Sequence, residues 1–300
     1  MYKWSNKEIL FLKENYKVLS KKEMSRILNI PYRSVCYKSF VLNLHKEKSI
    51  SKEKFFDTWD SDMAYVFGFL VADGCICSEK KGSYAISLKL SIKDIDILMK
   101  IKFLLGVNKI RFLKKGKTVE SEKEADQVMF RIHSKYMFDR LNELGMEQNK
   151  TYKTININIP DNYILDFLRG FTDGDGSITI SYGSKGYPFL RWIVYQHISS
   201  EDFLFYLKKK IKDLFNIDVK YGIQKKSNEN WDDLCMLYAY SFNAIKLLDK
   251  IYQNNSLCIK RKYDNYIKFK EYFNSQDKGK LVLKGKLTET ITIPLEVRDV

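Results

Sequence analysis

Two carboxylates carry the chemistry that this chain could perform. Asp73 follows Gly68-Phe69-Leu70-Val71-Ala72, and Asp175 follows Gly170-Phe171-Thr172-Asp173-Gly174, 102 residues further on. Each segment reads as an apolar helix with small residues four apart, Gly68/Ala72 and Gly170/Gly174. That spacing lets two helix backbones approach closely. A glycine suited to ending a helix, Gly74 or Gly176, follows each carboxylate. Packing the helices side by side would bring both carboxylates to one end. Like charges repel, and a helix C-terminus is the wrong pole for an anion, by ~0.3–1 kcal/mol each. A divalent cation would offset both effects, and oxygen ligands with room for water and phosphate suit Mg²⁺.

The elements that must position these residues repeat as well. After the first copy, Ile86, Leu88 and Leu90 alternate with Ser87, Lys89 and Ser91; after the second, Trp192, Val194 and Ile198 recur with period two. Amphipathic helices are predicted over 95–105 and 203–215, then strand pairs ending near 128–132 and 236–242, then helices over 136–144 and 244–252. The order α-β-β-α-β-β-α thus occurs twice, as in a fused pair of similar halves.

Lysine and arginine exceed aspartate and glutamate by 52 to 37, a net charge of +15 that favours a polyanionic partner. The 45% hydrophobic content supports a sizeable core and excludes a mainly disordered chain. The charge alone would suit nucleic acid or an acidic membrane surface; the longest apolar run, 63–72, is far short of the ~20 residues that cross a bilayer, so membrane spanning is out, and the partner expected is nucleic acid and not a membrane. Five cysteines without C-x-x-C spacing suggest reduced thiols. Scarce arginine beside abundant lysine, isoleucine and asparagine fits an AT-rich coding sequence. The expected location is the cytoplasm, for a bacterial or phage-encoded protein, or an organelle with AT-rich DNA.

Residues 1–50 hold 11 basic and 4 acidic side chains. Three short helices are expected there. Ile9, Leu10, Leu12 and Tyr16 form the buried stripe of the first; Ser20 and Glu23 make a capping box for the second. The third runs over 32–42 with Val35, Phe40 and Leu42 inward and Arg33, Ser34 and Lys38 outward. Trp4-Ser5-x-x-Glu8-Ile9, Met24-Ser25-x-x-Leu28-x-Ile30 and Val35-x-x-Lys38 resemble the helix-turn-helix of the Myb/homeodomain-like superfamily, which implies DNA contacts from Arg33 and Lys38.

The two acidic segments, each followed by a strand-helix-strand pattern, resemble the LAGLIDADG homing-endonuclease family, single-chain type with two motif copies, over about residues 60–270. Val71 stands where the motif's first aspartate would be in the first copy; the catalytic carboxylate position is filled in both halves. The resemblance implies an α+β fold: two pseudo-symmetric α-β-β-α-β-β-α halves with saddle-shaped antiparallel sheets, after a small all-α helix-turn-helix domain. The expected division is 1–48 helix-turn-helix, 49–60 linker, 61–158 first half, 159–274 second half, and 275–300 an extension of unassigned role. The resemblance further implies that Gly68, Ala72, Gly170 and Gly174 line the helix interface. Asp73 and Asp175 hold Mg²⁺ at two scissile phosphates of double-stranded DNA, and a monomer makes double-strand breaks with short 3′ overhangs. Supporting roles fall to Lys150, to Lys260 or preferably Lys262, and to Gln196, which interrupts the apolar phase of its strand. The matching place in the first half lies near Leu90.

DNA-facing side chains are expected on the polar phase of the strands: Ser87, Lys89 and Ser91; Lys109 and Arg111; Arg131; Thr179 and Ser181; Arg191 and Tyr195; Lys220, Gln224 and Lys226. The alternative function is a catalytically silent nucleic-acid binder on the same scaffold, either an intron RNA maturase or a transcription regulator. Both aspartates argue for the enzyme, because a binder gains nothing from carboxylates beside a phosphate backbone. Asp173-x-Asp175-x-Ser177 opens like a calcium loop, but Ile178 and Ser184 stand where that loop needs Gly and Glu. No phosphate-cradling glycine motif occurs.

Overall fold

The structure is a computed structural model that describes residues 2, 4–16, 21–42, 44, 52–79, 82–115, 117–119, 122–148, 154–184, 186–225, 232–253 and 257–275. The expected strands near 281–283 and 290–293, the Ser20 cap, Lys150 and Lys226 lie outside the described residues. Residues 1–51 and 52–300 form separate compact units.

The first unit holds helices α1 (Asn6–Asn15), α2 (Lys21–Leu28) and α3 (Tyr32–Val41). Ser5 and Glu8 cap α1 reciprocally: the Ser5 hydroxyl accepts the Glu8 N–H, and the Glu8 carboxylate accepts the Ser5 N–H at 2.8 Å. Leu12, Met24, Ile30 and Val35 make the core. Leu10 and Phe40, expected inward, are 54% and 67% exposed. So small a core admits one narrow stripe per helix: α3 buries Val35 and Ser39, four apart, and Phe40 lies ~100° past that stripe.

In the second unit, α4 (Ser61–Asp73) starts at Asp60, whose carboxylate accepts the Met63 N–H at 2.7 Å. The first half continues with β1 (Gly74–Glu79), β2 (Ser83–Ser91), α5 (Ile95–Leu104), β3 (Arg111–Lys114), β4 (Lys117–Val119), β5 (Gln127–His133) and α6 (Lys135–Glu143). Its antiparallel sheet has the order β1-β2-β5-β3-β4. The second half repeats the plan with α7 (Ile164–Asp175), β6 (Gly176–Tyr182), β7 (Pro188–His197), α8 (Glu201–Phe215), β8 (Lys220–Gln224), β9 (Leu234–Tyr240) and α9 (Ser241–Ile251), in the sheet order β6-β7-β9-β8.

This is the expected α+β architecture with two differences. The first half has three strands after α5 where two were expected, because polar residues 111–119 fold into a β3–β4 hairpin. A further helix, α10 (Lys260–Ser275), follows α9 and packs against β6.

Helices α4 and α7 cross at the centre of the core. A Cβ on Gly68 would stand 2.2 Å from the Phe167 carbonyl oxygen, and one on Gly170 would stand 1.9 Å from that of Tyr65. A Cβ on Gly174 would meet Ala72 Cβ at 2.2 Å. Gly68 and Gly170 are therefore required by contact with the facing backbone, and Gly174 by the Ala72 methyl.

Candidate active site

Asp73 is the last residue of α4 and is exposed; Asp175 is the last residue of α7 and is half-buried. The helix ends that carry them touch. The backbone nitrogen of Asp73 lies 3.5 Å from where a Cβ on Gly174 would sit. Two carboxylates thus stand at the adjoining negative ends of two helices. Among the described residues there is no group of three or more His, Cys, Asp or Glu that could hold a metal ion. A cation here would rest on the two aspartates, completed by backbone, water or ligand oxygens, and such a hard-oxygen donor set fits Mg²⁺.

The Gln196 amide donates to Oδ2 of Asp175. Register identifies its counterpart in the other half. Gly74 pairs with Leu88 and Gly176 with Val194, so Leu90 and Gln196 each lie two residues beyond a matched pair. Leu90 is buried and apolar.

Lys262 lies on α10 with its ammonium buried. It donates to the backbone carbonyls of Thr172 at 2.9 Å, Asp173 at 2.6 Å and Gly176 at 2.7 Å. It closes the C-terminus of α7, as a cation at that pole should. Burial lowers its pKa to about 8, against the opposing pull of Asp173. Lys260, the other candidate lysine, is exposed and pairs with Asp264 at 2.7 Å.

Sequence reading did not find the buried network behind these residues. Oδ2 of Asp173 accepts the Tyr65 hydroxyl at 2.8 Å and the Ile259 N–H at 2.8 Å. Burial raises the Asp173 pKa to about 6, although Lys262, Tyr65 and Ile259 all favour its charged form. Arg169 donates to the carbonyls of Leu257 at 2.9 Å and Ile251 at 3.0 Å, and pairs with Asp166 at 2.8 Å. Trp192 Nε1 donates to Thr172 Oγ1 at 3.1 Å. The signal was available in one place: Arg169 is a lone cation inside an apolar helix, and such a residue needs buried acceptors. Arg261, the neighbour of Lys262, makes a two-pronged contact with Asp94 of the first half at 2.8 and 2.9 Å.

The structure brings the expected strand residues together in cross-strand rows. In the first sheet Ser87 lies opposite Arg131, and Lys89 and Arg111 flank Met129. In the second, Thr179 lies opposite Arg191, Ser181 opposite Phe189, Tyr195 opposite Met236, Lys220 opposite Tyr238 and Gln224 opposite Leu234. Each of the expected residues in these rows is exposed or half-buried. In the first unit Arg33 is exposed and Lys38 half-buried on α3.

No protein-family model matches the sequence, and no curated protein matches it. Solved structures do. The LAGLIDADG homing endonuclease I-GzeII, in complex with its DNA target, is similar with a TM-score of 0.50 and 15% identity, over 73% of this chain and 92% of that one. The fold is the LAGLIDADG fold. The LAGLIDADG meganuclease I-AabMI, bound to uncleaved DNA, is similar with a TM-score of 0.50 and 18% identity, again over 73% and 92%. At these identities the likeness is one of fold, and the crossing of α4 and α7 is the centre of that fold in this chain.

Proposed function

We propose that this protein is a site-specific, Mg²⁺-dependent DNA endonuclease of the homing type. The observation that carries the proposal is the meeting of two helix ends, each terminating in a carboxylate, at the junction of two antiparallel sheets. Support comes from the +15 charge and from the fold shared with nucleases that are bound to DNA in their structures.

In this reading Asp73 and Asp175 would hold the divalent metal, which when bound would supply Lewis-acid polarisation of phosphate oxygens and acidify water. The chain's own residues orient. Gln196 holds the Asp175 carboxylate by its amide N–H, and Lys262 fixes the turn that leads from Asp175 into β6. The basic and polar rows of the two sheets lie along the DNA, and α3 of the first unit adds contacts from Arg33 and Lys38. Two unequal carboxylates, one per strand, give a double-strand break with short 3′ overhangs from a monomer.

The test is cleavage of DNA from an AT-rich source by purified protein with Mg²⁺ and with a chelator, beside Asp73→Asn and Asp175→Asn. Discrete Mg²⁺-dependent double-strand breaks, reduced to nicks in each variant, support the proposal. Tight DNA or RNA binding with no cutting under any divalent metal points to the catalytically silent binder.

A further inference from the structure

The outward faces of the two sheets differ in kind. The register that matches Leu88 with Val194 also matches Lys89 with Tyr195. Through the neighbouring strands it matches Arg131 with Tyr238, His133 with Tyr240 and Arg111 with Gly222. Three cationic positions of the first face are therefore two tyrosines and a glycine on the second.

The second face is mostly apolar and aromatic along its two central strands, with Arg191, at the position matched by Ala85 in the first half, as the cation among them. Tyr238 and Tyr240 have ring centroids 5.3 Å apart, and Phe189 meets Tyr240 edge-on at 5.8 Å. Met236 lies opposite Tyr195, as Met129 lies opposite Lys89 on the first face, so the difference between the faces lies in the rings and not in the thioether. A Cβ on Gly222 would stand 3.0 Å from Met236 Cε and 3.2 Å from Tyr238 Cε1, so both side chains lean over β8. Tyr240 is 43% exposed. Within this surface, Thr179 Oγ1 and Arg191 Nε are buried atoms with no hydrogen-bond partner among the described residues. The face continues directly from the candidate active site, since β6 begins at Gly176, next to Asp175.

We infer that the second sheet reads a thymine-rich half-site through the thymine 5-methyl groups, while the first sheet reads a guanine-containing half-site through Lys89, Arg111 and Arg131. The inference rests on the duplex-DNA reading above. In the major groove the thymine methyl is the apolar group on offer, and it suits ring and thioether surfaces; guanine O6 and N7 suit Arg and Lys. Buried aromatic area also binds without counterion release, so the two half-sites should differ in salt dependence.

The test uses the full chain with a chelator present, so that cutting plays no part. Binding sites are selected from random duplex DNA. Thymine is then replaced by uracil in one half-site at a time, and affinity is measured by fluorescence anisotropy. Each lost methyl in the half-site under the second sheet should weaken binding about threefold. The same replacement in the other half should change it less than twofold. Tyr238→Arg, checked for folding by circular dichroism, identifies the half-site concerned: it should remove the uracil effect there and raise the preference for guanine. Tyr195→Lys serves if that variant does not fold. Equal uracil effects in both halves, or a selected site without A·T enrichment on that side, would overturn the inference and leave the DNA-binding reading standing. Tighter binding to single strands than to duplex would also overturn it, because the rings would then be stacking on bases. Failure to select any duplex would overturn both.

Discussion

The amide of Gln196 donates to a carboxylate oxygen of Asp175, and the register-matched position in the first half is Leu90. The two helix ends are therefore chemically unequal, although the backbone repeats. Gln196→Leu makes the second end resemble the first. On the proposed endonuclease reading, cleavage of one strand should slow by about tenfold or more, the usual effect of removing a group that orients a metal ligand, while the other strand is cut at the original rate. Strand-specific end labels on a short duplex read this directly.

Gly170 sits where any side chain would enter the Tyr65 carbonyl, at 1.9 Å. The obstacle is backbone and has no rotamer in which to move aside. Gly170→Ala should destabilise the second unit by about 3 kcal/mol or more through overpacking. Gly82→Ala serves as a contrast, since nothing lies within 4 Å of its Cβ position; its cost should be smaller and come only from its φ of 73°. Urea unfolding midpoints distinguish the two.

Lys262 donates to three carbonyls at the end of α7. Lys262→Met keeps the aliphatic stem and removes the donors. The expected loss is about 2–3 kcal/mol, the range for charge-assisted bonds to buried acceptors. Methionine also relieves the burial of a charge, which keeps the loss below the sum of three bonds. Equilibrium unfolding in urea measures it. An unchanged midpoint would show that the cap is dispensable.

Asp173 gives the fold a pH dependence of definite sign. Its folded pKa of about 6 lies above the ordinary 3.8, so the native state binds this proton more tightly than the unfolded chain. The group's contribution is complete below about pH 4 and is lost as pH rises through about 6, amounting to roughly 3 kcal/mol. Asp173→Asn has no such proton. Relative to wild type, the variant should gain stability between pH 4 and pH 7 by up to that amount, as read from unfolding curves at the two values.

The repeat, the paired helices and the polar phase of the strands were legible because each imposes a period or a spacing on the sequence. Gln196 was legible for the same reason, as a polar residue in an apolar phase. Helix α10 was not. It buries Lys262, Tyr266 and Phe269 and reaches β6 through Asn265, which donates to the Ile178 carbonyl at 2.9 Å. Its rings Tyr266, Phe269 and Phe273 recur at helical spacing, but the stripe is opened by a lysine, Lys262, and so reads as solvated at its start. The β3–β4 hairpin escaped for a related reason: its Lys-rich strands are short and lie at a sheet edge, where charge discourages further pairing. The network around Asp173 depends on Tyr65, 108 residues away, and on a main-chain N–H. Neither link has a local signature.

Arg261 grips Asp94 across 167 residues of chain, from the start of α10 to the turn before α5. The second half thus carries a key for which the first half holds the lock. What began as repetition has become complementarity. Fragments made by dividing the chain between α6 and α7 would be unlike partners, with the grip available only when one of each kind meets.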